Sequence, residues 1–161
     1  MSVLVRPAEM SDAEEISRLT LQLGYDANPS LVSARMARLL SRSDHKLLVA
    51  ETDGHIAGWL HAMSSDWIDS DACVVVAGLV VDKAFRGRGI GRVLMRHAEE
   101  WANELGCSMV RLWTSSTRKA AHDFYKAIGY THIKTHLSFV KSLDAANPDD
   151  LKKLVPKVDE S

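Results

Sequence analysis

Apolar residues recur along the chain with a period that changes, and each change marks an element. Val3-Leu4-Val5-Arg6 predicts a short strand ended by Pro7. Ser11 to Glu14 fits an S-x-x-E capping box, which predicts a helix start near Asp12. Ile16, Leu19 and Leu23 then share one helical face, and Gly24 is the expected stop. A second helix is expected after Pro29, burying Val32, Met36, Leu39 and Leu40. Lys46 to Glu51 reads as a strand, Asp53-Gly54 as a hairpin turn, and Ile56 to Met63 as the returning strand. Ser64 to Asp71 is polar and loop-like. Ala72 to Val81 is the most continuous apolar run, and its consecutive valines predict a strand buried on both faces.

Ile90, Val93, Leu94, His97, Ala98, Trp101, Ala102 and Leu105 follow helical spacing up to Gly106. Ser108 to Trp113 predicts a short strand. Arg118 to Ile128 predicts a helix with Ala121, Phe124, Tyr125 and Ile128 inward, stopped by Gly129. Tyr130 to Val140 predicts a last strand. The order β-α-α-β-β-β-α-β-α-β implies an α/β (α+β) fold, a mixed sheet with helices against it. Character changes after Leu143, at Asn147, Pro148, Asp149, Asp150 and the lysines that follow. Residues 2–143 are therefore the expected domain, and 144–161 a solvated tail or short peripheral helix.

Composition narrows the function classes. At 161 residues one domain is expected, with 46% hydrophobic and 25% charged residues as in ordinary soluble proteins. The 20 basic and 21 acidic side chains sum to −1, which argues against nucleic-acid binding by bulk charge and against an acidic disordered chain. No run approaches the ~20 apolar residues of a membrane span. Met1 to Pro7 lacks the basic-then-apolar pattern of a secretory leader. Cys73 and Cys107 lie in unrelated contexts and read as reduced thiols of a cytoplasmic protein. The histidines are scattered. His132 and His136, on a predicted strand, would lie about 13 Å apart, too far to share a metal. No metal is expected.

The richest chemistry joins the apolar strand to the clearest helix: Val80-Val81-Asp82-Lys83-Ala84-Phe85-Arg86-Gly87-Arg88-Gly89-Ile90-Gly91-Arg92. Glycines where a helix begins let backbone N–H groups approach a ligand, and the helix start offers unpaired donors and a positive dipole end. Such a strand-loop-helix predicts a phosphate or pyrophosphate site. A dinucleotide fingerprint from Gly87 would need glycine where Arg92 stands, and a P-loop would need Gly-Lys-Ser/Thr. What remains is Arg-x-x-Gly-x-Gly, from Arg86, Gly89 and Gly91.

This segment resembles the acyl-CoA-binding signature of the GNAT superfamily of N-acetyltransferases. Ala121-His122-Asp123-Phe124-Tyr125-Lys126-Ala127-Ile128-Gly129-Tyr130 is similar to that family's A-x-x-F-Y-x-x-x-G-F/Y stretch. The resemblance covers roughly residues 2–141 and implies a mostly antiparallel central sheet flanked by helices. It implies direct transfer of acetyl from acetyl-CoA to an amine in a ternary complex. The expected cofactor-binding residues are Leu79, Val80, Val81, Arg86, Gly87, Arg88, Gly89, Ile90, Gly91, Arg92, Arg118 and Tyr125. Backbone N–H groups of 86–91 would hold the pyrophosphate, and the strand ending at Leu79-Val80-Val81 would pair with the pantetheine arm. A backbone N–H near Leu79 or Val80 would polarise the thioester carbonyl. The family often has Asn where this chain has Arg118, which removes one expected hydrogen bond and offers a phosphate contact instead.

The resemblance makes Tyr125 the expected general acid. A tyrosine near pKa 10 can supply a proton to a departing thiolate whose thiol has a pKa of about 8.5. The strand before the loop carries no carboxylate, so the base is left open among Glu51, His61, Asp71 and water. For the acceptor, Tyr25 follows the first helix, and Asp66, Trp67, Asp69 and Asp71 precede the central strand. Carboxylates beside an aromatic face suit an ammonium-bearing ligand. Tyr25, Asp66, Trp67 and Asp71 are the expected substrate-binding residues. The Leu23-Gly24-Tyr25 stretch and the helix of Tyr125 are similar to a subgroup of small bacterial enzymes acting on free amines, including aminoalkylphosphonates. A small-molecule amine is the expected acceptor. A protein or peptide amine is the alternative, and a non-catalytic acyl-CoA-binding module the second. A homodimer is expected through the last strand and the tail.

Overall fold

The computed structural model describes residues 2–143 and, beyond them, Leu151 and Leu154. The tail expected over 144–161, with its share of a dimer contact, lies otherwise outside the described residues.

Five strands form one sheet in the order β1-β2-β3-β4-β5: Leu4–Pro7, His45–Thr52, His55–Ser65, Cys73–Val81 and Val110–Leu112. The first four pair antiparallel, and β5 runs parallel to β4. The β2–β3 turn places Asp53 at φ 51 and Gly54 at φ 74, the left-handed pair that a tight two-residue hairpin requires. Helices α1 (Ala13–Leu21), α2 (Pro29–Leu40), α3 (Ile90–Glu104) and α4 (Lys119–Ala127) complete the fold.

Strand alternation divides the core in two. Leu47 and Val49 of β2, with Ile56 and Val80, pack against Ile16 and Leu19 of α1 and Val32 and Met36 of α2. Leu48 and Ala50 face the other way, with Leu60, Ala62, Val74 and Val76, onto Ile90, Leu94, Met95, Ala98 and Trp101 of α3. The helical spacing found Ile16, Leu19, Val32, Met36, Ile90, Leu94, Ala98 and Trp101, but Leu40 and Leu105, also expected inside, stay 38% and 48% exposed at the last turn of α2 and just past the end of α3.

Three expectations need correction. The capping box at Ser11–Glu14 does not form. A 3-10 turn, Met10–Asp12, precedes α1, and the reciprocal box joins Glu9 to Asp12, whose Oδ2 accepts the Glu9 N–H at 2.8 Å. Asp12 is preferred there because Arg6 forks onto both its oxygens at 2.8 and 2.9 Å.

The long apolar strand is buried on both faces only in its first half. Cys73 to Val76 are buried, whereas Ala77 is exposed and Gly78 and Leu79 are half-buried. A bulge causes the change: His61 pairs with Gly78 and Ala62 with Val76, leaving Ala77 as the extra residue. On its other side, β4 pairs with β5 only through Val74–Val76.

The last strand, Tyr130–Val140, is also absent: this stretch joins no ladder among the described residues. A strand needs a partner edge as well as a suitable sequence, and β5 offers only three residues. Its apolar side chains stay in solvent, with Leu137 at 82% and Phe139 at 88% exposure. The strand spacing expected for His132 and His136 lapses with it.

Candidate active site

β4 leads into a loop that is fixed at one point and open beyond it. Asp82 is the fixed point. Its backbone N–H donates to the Ala57 carbonyl at 2.8 Å. Its carboxylate accepts from the Ala84 N–H at 3.0 Å, from Arg18 at 2.7 Å and from the Gln22 amide at 3.3 Å. Burial pushes this carboxyl up, but the Ala84 N–H, Arg18 and Gln22 outweigh it and hold Asp82 below the usual carboxylate range. The Gln22 side chain also accepts the Lys83 N–H at 3.0 Å, tying the end of α1 to the loop. The sequence reading missed this anchor. Its signal was an Asp one residue past a strand and two before Ala84, a side chain well suited to cap a short turn.

Beyond the 3-10 turn Lys83–Phe85, the chain is held by fewer contacts. The Arg86 guanidinium donates to the Val81 carbonyl at 3.3 Å, and the Arg88 guanidinium lies 5.3 Å from the centre of the Phe85 ring. Gly87 and Gly89 take φ values of +75 and +80, and Gly89 is the N-cap of α3 with no side-chain cap. The N–H groups of Ile90, Gly91 and Arg92 have no carbonyl one turn back within the helix. The first turn of α3 holds no acidic residue and does hold Arg92, a cation at the positive dipole end. An anion there relieves both features.

Gly91 is glycine for a second reason: a Cβ would lie 3.0 Å from the Phe124 ring of α4. Phe124 stacks edge-on with Tyr125 (centroids 5.1 Å apart), and Tyr125 with Tyr130 (6.0 Å). Tyr130 is held by its hydroxyl, which donates to Glu99 of α3 at 3.0 Å. Tyr125 packs against the same cluster as Leu79 and Val81. Burial raises its pKa, with the Arg118 charge pulling the other way, so it stays protonated at neutral pH.

Leu79, Val80, Val81, Arg86 to Arg92, Arg118 and Tyr125 thus gather around the second half of β4, the start of α3 and α4. Beyond Val76 the β5 side of β4 has no strand partner among the described residues. The expected acceptor residues do not gather with them as one group. Tyr25, 39% exposed, lies in the α1–α2 connection three residues past Gln22. Asp66, Trp67 and Asp71 lie at the other end of β4, about 26 Å away along the strand. There the Trp67 indole N–H donates to the Cys73 sulfur at 3.3 Å, and Asp66 borders a hollow of about 200 Å³.

Among the base candidates, Glu51 is engaged by Arg6 at 3.3 Å and borders a separate cleft of about 460 Å³. Only His61 stands beside the open half of β4, opposite Gly78. Among the described residues no group of three or more His, Cys, Asp or Glu is placed to hold a metal, and no helix is long and apolar enough to cross a membrane.

Residues 12–130 match the acetyltransferase (GNAT) family. An uncharacterized N-acetyltransferase of Methanocaldococcus jannaschii is 34% identical over 111 residues, 65% of this chain and 49% of the relative. The aminoalkylphosphonate N-acetyltransferase of Salmonella typhimurium is 33% identical over 113 residues, 66% of this chain and 68% of the relative. The chain thus spans about half the length of the archaeal relative. Among solved structures, AAC(6')-Iy in complex with the bisubstrate analog CoA-S-monomethyl-acetylneamine superposes with a TM-score of 0.79 at 21% identity, covering 88% of this chain and 99% of that one.

Proposed function

The chain belongs to the acetyltransferase (GNAT) family, and from that membership we propose that it moves acetyl from acetyl-CoA to a primary amine of a small molecule, directly and in a ternary complex. One observation carries this reading: a strand whose outer half is bulged and open runs straight into an uncapped, glycine-rich, arginine-flanked helix start. Those are the parts an acyl-CoA fits. Residues 2–143 make up the catalytic domain in this reading.

When bound, acetyl-CoA supplies an activated acyl group on a thioester and a thiolate leaving group. The chain's residues do the rest. Backbone N–H groups of residues 86–91 bind the pyrophosphate, with Arg86, Arg88, Arg92 and Arg118 as counter-charges. The open backbone of Leu79, Val80 and Val81 orients the pantetheine arm as an added strand would be oriented. An N–H at Leu79 or Val80 stabilises negative charge on the carbonyl oxygen. Tyr125, protonated and held between Phe124 and Tyr130, donates its proton to the departing sulfur.

For the acceptor, Asp66 and Asp71 attract an ammonium group and Trp67 offers it a ring face, while Tyr25, at the other end of β4, takes part only in binding a longer acceptor. The small-molecule reading is supported by the aminoalkylphosphonate relative, whose substrate bears a free amine. A homodimer through the exposed apolar residues of 130–143, and a cytoplasmic setting matched to the free thiols Cys73 and Cys107, complete the proposal.

The test is to incubate the chain with acetyl-CoA, a thiol reagent and a panel of small amines and peptides. Thiol release that depends on a small amine, with the acetylated amine found by mass spectrometry, is the expected result. Release without amine dependence overturns transfer. A peptide-only response moves the acceptor to the alternative class, and failure to bind CoA overturns both transfer and cofactor binding.

A further inference from the structure

Two histidines from different strands meet beside the open half of β4. His45 is the first residue of β2, and His61 lies in β3. Their rings stack at 5.1 Å between centroids and 20° between planes, and His45 Nδ1 lies 2.8 Å from His61 Nε2. Neither histidine is explained by the core: both alternate with Leu48, Leu60 and Ala62 and so point to the α1–α2 side of the sheet. On that side His61 is cross-strand neighbour to Gly78 at the bulge. Adjacent strands are about 4.8 Å apart, and Gly78 has no side chain to intervene. The Trp59 ring lies over Gly78, 2.7 Å from where its Cβ would stand, and so forms one wall of the space beside His61.

We propose that His61 and His45 form a two-ring relay that takes the proton of the acceptor amine at the bulge and passes it to solvent. The proposal rests on the acetyltransferase reading and supplies the base that β4 lacks. The hydrogen bond occupies His61 Nε2, so Nδ1 is the nitrogen left to face the acceptor, directly or through one water. In the productive tautomer His61 Nε2–H donates to His45 Nδ1. The amine nitrogen forms its bond to the acyl carbon and loses a proton to His61 Nδ1. The Nε2 proton of His61 moves to His45 Nδ1, and the Nε2 proton of His45 leaves to water. The amine enters neutral, its ammonium proton already left in water. The proton it sheds on acylation enters the relay and one departs, and Tyr125, having protonated the thiolate, regains its proton from water, so one proton is released net. Once product leaves, exchange with water restores both tautomers.

The surroundings suit a relay rather than a proton store. Burial, then the nearby His45, pushes His61 down to about 4, so the ring arrives neutral and does not keep the proton. Asp44, held by Arg42 at 2.9 and 2.7 Å, is a charge that reaches His45. On β4 the facing residue is Gly78, and on β3 the same-face neighbours are Trp59 and Met63. Arg18 of α1 is turned to Asp82, Glu15 and the Ile56 carbonyl. Lys46 of β2 is turned to the Trp101 ring on the opposite face.

His61→Gln and His45→Gln keep a hydrogen-bonding side chain that cannot shuttle a proton. The wild-type protein is assayed first, because absence of amine-dependent thiol release there sinks the transferase reading and not the relay. Given activity, His61→Gln is expected to lower kcat about 100-fold at pH 7 with an alkylamine, leaving KM for acetyl-CoA unchanged. The deficit should shrink at least tenfold by pH 9.5, where more amine arrives neutral and hydroxide takes the proton. His45→Gln should show the same rescue from a smaller deficit. A deficit that is constant across pH, or no deficit in either variant, overturns the relay. If His61→Gln fails to fold by circular dichroism, His45→Gln at the edge of β2 decides by the same profile.

Discussion

Replacing Gly89 by alanine introduces backbone strain into the loop ahead of α3, and its size can be worked out. Gly89 has φ +80, and a Cβ there would meet nothing within 4 Å, so the cost is conformational and not steric crowding. A left-handed alanine costs about 1–2 kcal/mol. That strain has two places to appear. If the loop holds its shape, the free protein carries the strain, partly offset by about 0.4–1 kcal/mol from a stiffer unfolded chain. The urea midpoint then falls and the Kd for acetyl-CoA stays put. If the loop relaxes, stability is kept and the strain returns on binding, weakening Kd roughly 5- to 30-fold. Urea unfolding and titration calorimetry on one preparation divide the effect between the two. Gly54→Ala is the control: Gly54 also has positive φ (+74) and open space, but it lies in the β2–β3 turn. It should lose stability and keep its Kd. Wild-type values for Gly89→Ala in both assays, or equally weakened binding in Gly54→Ala, would refute the reasoning.

Three further outcomes are expected. Tyr125→Phe removes the acidic hydroxyl but keeps the ring between Phe124 and Tyr130. Turnover should fall by about 10²-fold or more with acetyl-CoA affinity within twofold, and unchanged turnover would remove Tyr125 from the chemistry. Arg6 bonding, against burial, holds Asp12 below its usual range, and Asp82 is also depressed. A depressed carboxylate stabilises the fold above its unfolded pKa of about 3.9 and loses that contribution as pH falls through the folded value. Stability should thus rise from strongly acid solution to about pH 4–5, and Asp12→Asn should flatten that limb in urea titrations at several pH values. Leu137→Glu with Phe139→Glu should shift the protein from dimer to monomer in light scattering without lowering its melting temperature; a dimer that survives would move the interface elsewhere.

Much of the fold was legible because period and punctuation agree with burial: Asp53-Gly54, Pro29, and the spacing of Ile90, Leu94, Ala98 and Trp101 are local signals. The start of α3 after Gly89 was legible for the same reason, since glycines punctuate the strand-to-helix junction within a few residues. What was not legible depends on pairing. Whether Tyr130–Val140 forms a strand is decided by the edge it meets, which a three-residue β5 does not supply. The start of α1 went to Glu9 and Asp12 instead of Ser11 and Glu14 because Arg6, on a neighbouring strand, selects Asp12. His45 and His61 are 16 residues apart, and only the β2–β3 register brings them together. The separation of Tyr25 from the Asp66–Asp71 loop likewise follows from the direction of β4, which no local pattern reveals.

The half-open β4 has a consequence for handling as well as for chemistry. A row of backbone donors and acceptors that has no strand partner on its β5 side among the described residues is, on a valine-rich strand, a template for strand addition by any extended chain, including the exposed 130–143 segment of a neighbour. A ligand lying along Ala77 to Val81 occupies that row and closes the template. Cofactor depletion, concentration and time should therefore act together: stocks stripped of CoA should thicken into β-rich aggregates while CoA-loaded stocks of equal concentration stay clear.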